Sequence, residues 1–200
     1  MRIRTFAVAF FAVAMASFGY AQEGKKPAPR NSTAELQELA NPGAEHRELA
    51  KFEGKWSVEI KLGAGKSASV YRGLSKNRMV VGGRFLACEF GAAKEKESVD
   101  GVLTIGFDRR HDEYTIQSID SWGTYFVTAR GKRDGDSKEI KLYGVDDDPN
   151  MTAMGFTKAF AFGLVLTSSD EFTVNIYMID TRTPARREML MMEYTFTRSK

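Results

Sequence analysis

The 200 residues carry 29 Lys and Arg against 26 Asp and Glu, a formal net charge of +3, with 42% hydrophobic side chains and a single cysteine. Apolar content and length suffice for one domain with its own core, while a lone cysteine excludes an intrachain disulfide. Charges that alternate in sign along most segments exclude the clustered basic face that nucleic acid requires.

In residues 1–21, Arg2 and Arg4 precede the apolar run Phe6–Phe18, and Gly19 and Ala21 follow at the small-residue spacing of a signal-peptidase site. The run spans thirteen residues, short of the roughly 20 that a spanning helix needs. The expectation is an exported protein, periplasmic or secreted, with no membrane span and no cysteine near the cut to carry a lipid. Setting Arg2 and Arg4 aside lowers the net charge to +1, so charge argues for no particular partner.

Residues 22–33 are charged and Pro-containing with no large apolar side chain, the composition of a flexible leader. Residues 34–53 hold two short helices, AELQELA and AEHRELAKF, separated by NPG. Ser32 or Thr33 caps the first, and Leu49 and Phe52 share one side of the second. These helices read as a lid or plug.

From Gly54 to Lys200 the hydrophobic period is two, which defines a β domain. Trp56, Val58, Ile60 and Leu62 share one face of the first strand. Phe172, Val174, Ile176 and Met178 share a face near the end, as do Leu190, Met192, Tyr194 and Phe196 in the last strand. About ten strand-like runs occur at a spacing of roughly 8 to 15 residues, with no helix between them long enough for a parallel crossover. The expected fold is all-β: an antiparallel up-and-down barrel of about ten strands, closed because closure removes its edges.

The stretch GAGKS, residues 63–67, is spelled like the end of a phosphate-binding loop. Such a loop needs a glycine five positions before its second one and a helix after it. Ile60 and a strand-like run occupy those places, so GAGKS is a hairpin turn with Lys66 in solvent. Cys88, among apolar neighbours, reads as a buried small hydrophobe. The acidic run Asp146–Asn150 lacks the alternating ligands of a calcium loop. Asn31 and Asn150 head Asn-x-Ser/Thr triplets, which matter only in a eukaryotic secretory pathway and carry little weight here.

Gly54, Lys55 and Trp56 at the head of the first strand resemble the GxW signature of the lipocalin and fatty-acid-binding-protein superfamily, the calycins. That resemblance implies that Trp56 closes one end of the barrel beneath a basic side chain from the last strand, and Arg198 has the matching parity. A closer resemblance runs from residue 42 to residue 198, through PGAEHRELAKFEGKW, VVGGRFLACEF, GVLTIGFDRRHDEY, IDSWGTYF and MMEYTFTR. These blocks resemble the mostly bacterial, often exported family called domain of unknown function fifteen seventy-nine, which implies a lipocalin-like barrel and no particular activity. Haem-binding relatives of the fold use a histidine on a late strand. Here His46 and His111 lie elsewhere, so no cofactor is expected, and two separated histidines with an apolar cysteine make no metal site.

Alternation places Asp120 inside the barrel together with Ser118 and Trp122, with Arg84 as candidate ion-pair partner and Tyr125 as candidate hydrogen-bond donor. Asp120 is then either an anchor for a ligand's polar head or the acid or base of a hydrolase- or isomerase-like enzyme. In the structural alternative it satisfies a turn at DSWG. Met178, Met192, Tyr194 and Phe90 are candidates for an adaptable apolar lining. The leading expectation is a non-enzymatic barrel that binds a small apolar or amphipathic molecule in its interior. The alternatives are an enzyme using Asp120, or a periplasmic interaction module working through its outer face. Oligomeric state is not legible in the sequence.

Overall fold

A computed structural model describes residues 33–63, 65–146, 149, 159–180 and 187–200. The expected signal peptide, Ser32, Asn31, Asn150 and most of the acidic run lie outside the described residues. Two helices, α1 (Thr33–Leu39) and α2 (Ala44–Ala50), precede ten strands. These are β1 (Gly54–Leu62), β2 (Ser69–Val80), β3 (Phe85–Lys94), β4 (Glu97–Asp108), β5 (Glu113–Asp120), β6 (Phe126–Gly131), β7 (Glu139–Val145), β8 (Ala159–Ser168), β9 (Glu171–Asp180) and β10 (Arg187–Arg198).

Each strand pairs antiparallel with its neighbours in sequence, and β1 pairs with β10, so the sheet closes into the expected up-and-down barrel. Strand direction defines two ends. One is crossed by the turns after β2, β4, β6 and β8 and covered by α2. At the other, open end β1 passes to β2 through the Gly65–Ser67 turn. GAGKS is thus a connection between antiparallel strands. Gly63 and Gly65 have φ of 90° and 70°, left-handed values that glycine adopts without a Cβ clash. The Lys66 side chain is outside the described residues.

Alternation fills the interior. Trp56, Ile60, Leu103, Ile105, Ile140, Leu142, Phe162, Leu164, Phe172, Val174, Tyr194 and Phe196 face inward in one buried cluster, as does Cys88. Burial raises the thiol pKa of Cys88, which makes it the inert core residue expected. Along β10 one assignment of parity fails. The β9–β10 ladder slips between Leu190 and Met192, and the extra residue turns Leu190 outward, where it is 36% exposed. Met189 takes the inward parity instead, opposite Met178.

Trp56 carries the resemblance to the calycin end closure into three dimensions. Its indole N–H donates to the Phe52 carbonyl at 3.0 Å. Arg198, its cross-strand partner, stands over the ring with the guanidinium carbon 4.4 Å from the centroid. That guanidinium also donates to the carbonyls of Lys51, Glu53 and Ser169 and to Asp170. Gly54, at φ 127°, supplies the sharp entry into β1, and a Cβ there would sit 3.1 Å from Arg198 Nη1. Behind Trp56, Phe52, Phe172 and Phe196 pack as an aromatic cluster, the last two stacked at 4.4 Å.

Candidate functional site

The two helices divide the role expected of a lid or plug. In α2, His46 and Leu49 are buried, with Phe52 just beyond, and Glu48 fastens the helix to the barrel. Its carboxylate accepts from Tyr114 Oη at 2.8 Å and from Arg133 at 2.9 Å. Burial pushes the Tyr114 phenol up to about 12, so it remains a donor. Helix α1, by contrast, buries no residue. Two arginines from the barrel turns hold it by its last backbone carbonyls. Arg84 donates through Nε and Nη2 to Ala40, and Arg109 donates through Nη1 to Glu38 and Asn41.

Between α1 and the barrel wall lies a cleft of about 530 Å³, whose apolar sides include Leu36, Leu39, Phe85 and Phe107. Its basic sides are Arg84, Arg109, Arg110 and Arg130, with Asp108 as the one acidic lining residue. Arg110 is neutralised by Asp108 through Nε at 2.9 Å and Nη2 at 2.7 Å, and Arg130 is paired with Glu113. Arg84 and Arg109 spend their hydrogen bonds on neutral carbonyls. His46 borders the same cleft and is 5% exposed. Its Nδ1 accepts from the Gly43 N–H at 3.0 Å, closing the start of α2. Burial lowers its pKa; the Glu45 charge opposes this, and Arg109 and Arg84 lower it further. The cleft is therefore a place of positive potential with partly apolar walls.

The residues singled out in the sequence do not form one site. Asp120 faces inward as expected, opposite Gly101 on β4, and is half-buried near the open end. Its Oδ1 accepts from the Trp122 N–H at 3.0 Å, the turn arrangement that was the structural alternative. Arg84 is not its partner. It lies beside Phe85, which pairs with Gly106, five residues along β4 from Gly101, or roughly 17 Å at the rise of a strand. Trp122 leans over the mouth of the open end and does not lie inside the barrel. The chain has left β5 by then, and the indole rests 40% exposed with its edge against Tyr71. Tyr125 is 58% exposed. Phe90 and Tyr194 contact each other at 5.6 Å and are core residues, 4% and 0% exposed. Burial, and then the nearby charge of Asp120, raise the Tyr194 pKa. Met178 and Met192 are half-buried at the open end.

Sequence reasoning passed over Arg109, Leu36, Leu39 and Phe107. The adjacent arginines of DRRHDE were visible, but only the fold shows that one grips α1 while the other pairs with Asp108. Among the described residues no cluster of His, Cys, Asp and Glu could hold a metal ion, and no helix is long and apolar enough to cross a membrane.

Fold and site define a closed ten-stranded β-barrel with a helix plug and a wall cleft. The chain belongs to the family described as "Protein of unknown function (DUF1579)", matched over residues 41–198. A solved structure, Rv2717c from M. tuberculosis, is similar at 14% identity over 80% of this chain and 100% of that one, with a TM-score of 0.47. No curated protein matches the sequence.

Proposed function

We propose that this protein is exported and binds a small amphipathic molecule, and that the molecule sits in the cleft between α1 and the barrel wall. The signal-peptide pattern of residues 1–21 supports export. One observation carries the binding site: a cleft of about 530 Å³ joins apolar sides to Arg84, which makes no ion pair among the described residues, and to Arg109, which Glu38 holds only loosely, while inward side chains fill the barrel through most of its height. Small-molecule sites combine apolar lining with a few placed polar groups in a concavity of this size.

Native mass spectrometry of the protein purified from its own cells tests this reading. A co-purifying small molecule is expected, and it should be lost in Leu36→Glu, a change at a side chain already 51% exposed. A molecule that survives Leu36→Glu but is lost in Met192→Glu would move the site to the open end and overturn the cleft.

A second reading, an interaction surface, is favoured by the cross-strand pair Ile119 and Phe126, 48% and 62% exposed on the outer wall beside the open end.

A further inference from the structure

We propose that the cleft selects an anion: a small molecule with a carboxylate head bound at Arg109 and an apolar body against Leu36, Leu39 and Phe107. This rests on the cleft being the binding site and adds the charge of the occupant and the residue that competes with it.

Arg109 is the argument. Its side chain is only 23% exposed, so much of the hydration of its charge has been removed, and a desolvated cation is costly unless a carboxylate faces it. The groups around it do not supply one at hydrogen-bond distance. Nη1 is taken up by the backbone oxygens of Glu38 and Asn41. Among the described hydrogen bonds, Nε and Nη2 make none. The nearest acid is Glu38, whose Oε1 stands 3.6 Å from Nη2 and whose side chain is 77% exposed. Such a contact is a loose, solvent-screened ion pair. Two donors of one guanidinium edge are therefore left for a planar carboxylate, which takes both at once.

The neighbours favour the same sign. Arg84 adds a second cation that makes no ion pair with a carboxylate among the described residues, its donors spent on Ala40, Val81 and Gly82. Asp108, the acid lining the cleft, is consumed by Arg110 and His111. Phe85 and Phe107 present ring surface beside these charges. A neutral amphiphile gains from those rings alone, whereas an anionic one also gains the guanidinium. In this arrangement Glu38 is a built-in competitor, a carboxylate on α1 that occupies the edge loosely and swings away when the ligand's head arrives.

The test is a titration of isotope-labelled full-length mature protein with octanoate, and separately with 1-octanol, followed by amide chemical shifts. Octanoate is expected to move Leu36, Leu39, Phe107 and Arg109 saturably, and to bind at least severalfold more tightly than 1-octanol. Glu38→Gln, an exposed change that leaves the fold intact, should tighten octanoate binding by up to about fivefold, the range of an exposed ion pair, and leave 1-octanol unchanged. Equal binding of the two probes at those residues would overturn the anion selection while leaving the cleft as a binding site. Shifts confined to Met178, Met192 and Asp120 would overturn both. An unchanged octanoate affinity in Glu38→Gln would also overturn the proposed competition at Arg109.

Discussion

The two ends of this barrel are built on different principles. At the helix-covered end the strong donors beneath α2 are spent on structure, and one edge of Arg109 beside α1 is not. Arg198 spans Trp56, the C-terminus of α2 and the turn after β8, and Glu48 joins α2 to Tyr114 and Arg133. Aromatic rings fill the space behind them. At the open end the inward residues Ile176, Met178, Met192 and Asp120 are half-buried, beside the buried rings of Tyr71 and Phe160. Flexible thioethers and a carboxylate stand among rings there, with fewer cross-links to fix them. Closure by packing thus consumes one end and leaves the other adaptable, and the wall cleft forms where the packed end meets a helix that buries nothing.

Truncation should separate the two ends most sharply. Trp56→Ala removes a fully buried indole and is expected to cost about 3–5 kcal/mol, the range for large aromatic truncations in a core. Met192→Ala removes a half-buried side chain and should cost about 1 kcal/mol, below the 2–5 kcal/mol of a fully buried methionine. Urea denaturation of both variants measures the contrast. Equal losses would mean that the open end is packed as tightly as the closed one.

A smaller effect is expected where α2 meets the wall. The Tyr114 hydroxyl and Glu48 should be coupled, since each partner's removal leaves the other without its hydrogen bond. In a double-mutant cycle with Tyr114→Phe and Glu48→Ala, a coupling of about 1 kcal/mol is expected, in line with a hydrogen bond to a charged group that is partly exposed. A coupling near zero would show that Arg133, which reaches both oxygens of Glu48 and the phenol oxygen, holds the helix by itself.

Much of this architecture was legible in the sequence because strand alternation is a local property. Trp56, Val58 and Ile60 on one face, or Phe172 and Val174 on another, announce burial within a few residues of chain. The pairing of Trp56 with Arg198 was legible only through resemblance, because it joins the two ends of the domain. Alternation misled at two places, each where a strand stops being regular. The slip between Leu190 and Met192 exchanged an inward leucine for Met189. The end of β5 after Asp120 freed Trp122 from the parity that strict alternation gave it. The cleft was not legible because it depends on which carbonyls Arg84 and Arg109 reach, and those belong to a helix more than forty residues away in sequence. Arg84 was assigned to Asp120 on charge alone, and the strand length between them separates the two.

The smallest expected effect concerns the acid beside the cleft, and it bears on why Arg109 and not Arg110 is left for a ligand. Asp108 ends β4, and its carboxylate receives the Arg110 N–H and Nε at Oδ1 and the Arg110 Nη2 and His111 at Oδ2. The hydrogen bond from Arg110 holds the Asp108 pKa well below the usual carboxylate range; burial opposes this, and the His111 contact adds to it. A carboxyl depressed in the folded state contributes stability that is fully present above the unfolded value of about 3.9 and is lost as pH falls through the folded one. Asp108→Asn keeps an oxygen to accept from the Arg110 N–H, and replaces the charge and the second acceptor oxygen by an amide that cannot accept from Arg110 Nη2 or His111. The variant is therefore expected to be less stable than the parent by a constant amount above about pH 5. That gap should close progressively below pH 4 as the parent's own carboxyl is protonated. Because the Arg110 side chain is 68% exposed, solvent screens the pair and the gap should be small. Urea midpoints measured from pH 7 down to pH 2 follow it. A gap as large at pH 2 as at pH 7 would show that turn geometry, and not charge, is what Asp108 contributes. In that case Arg110 would be as free to receive an anion as its neighbour.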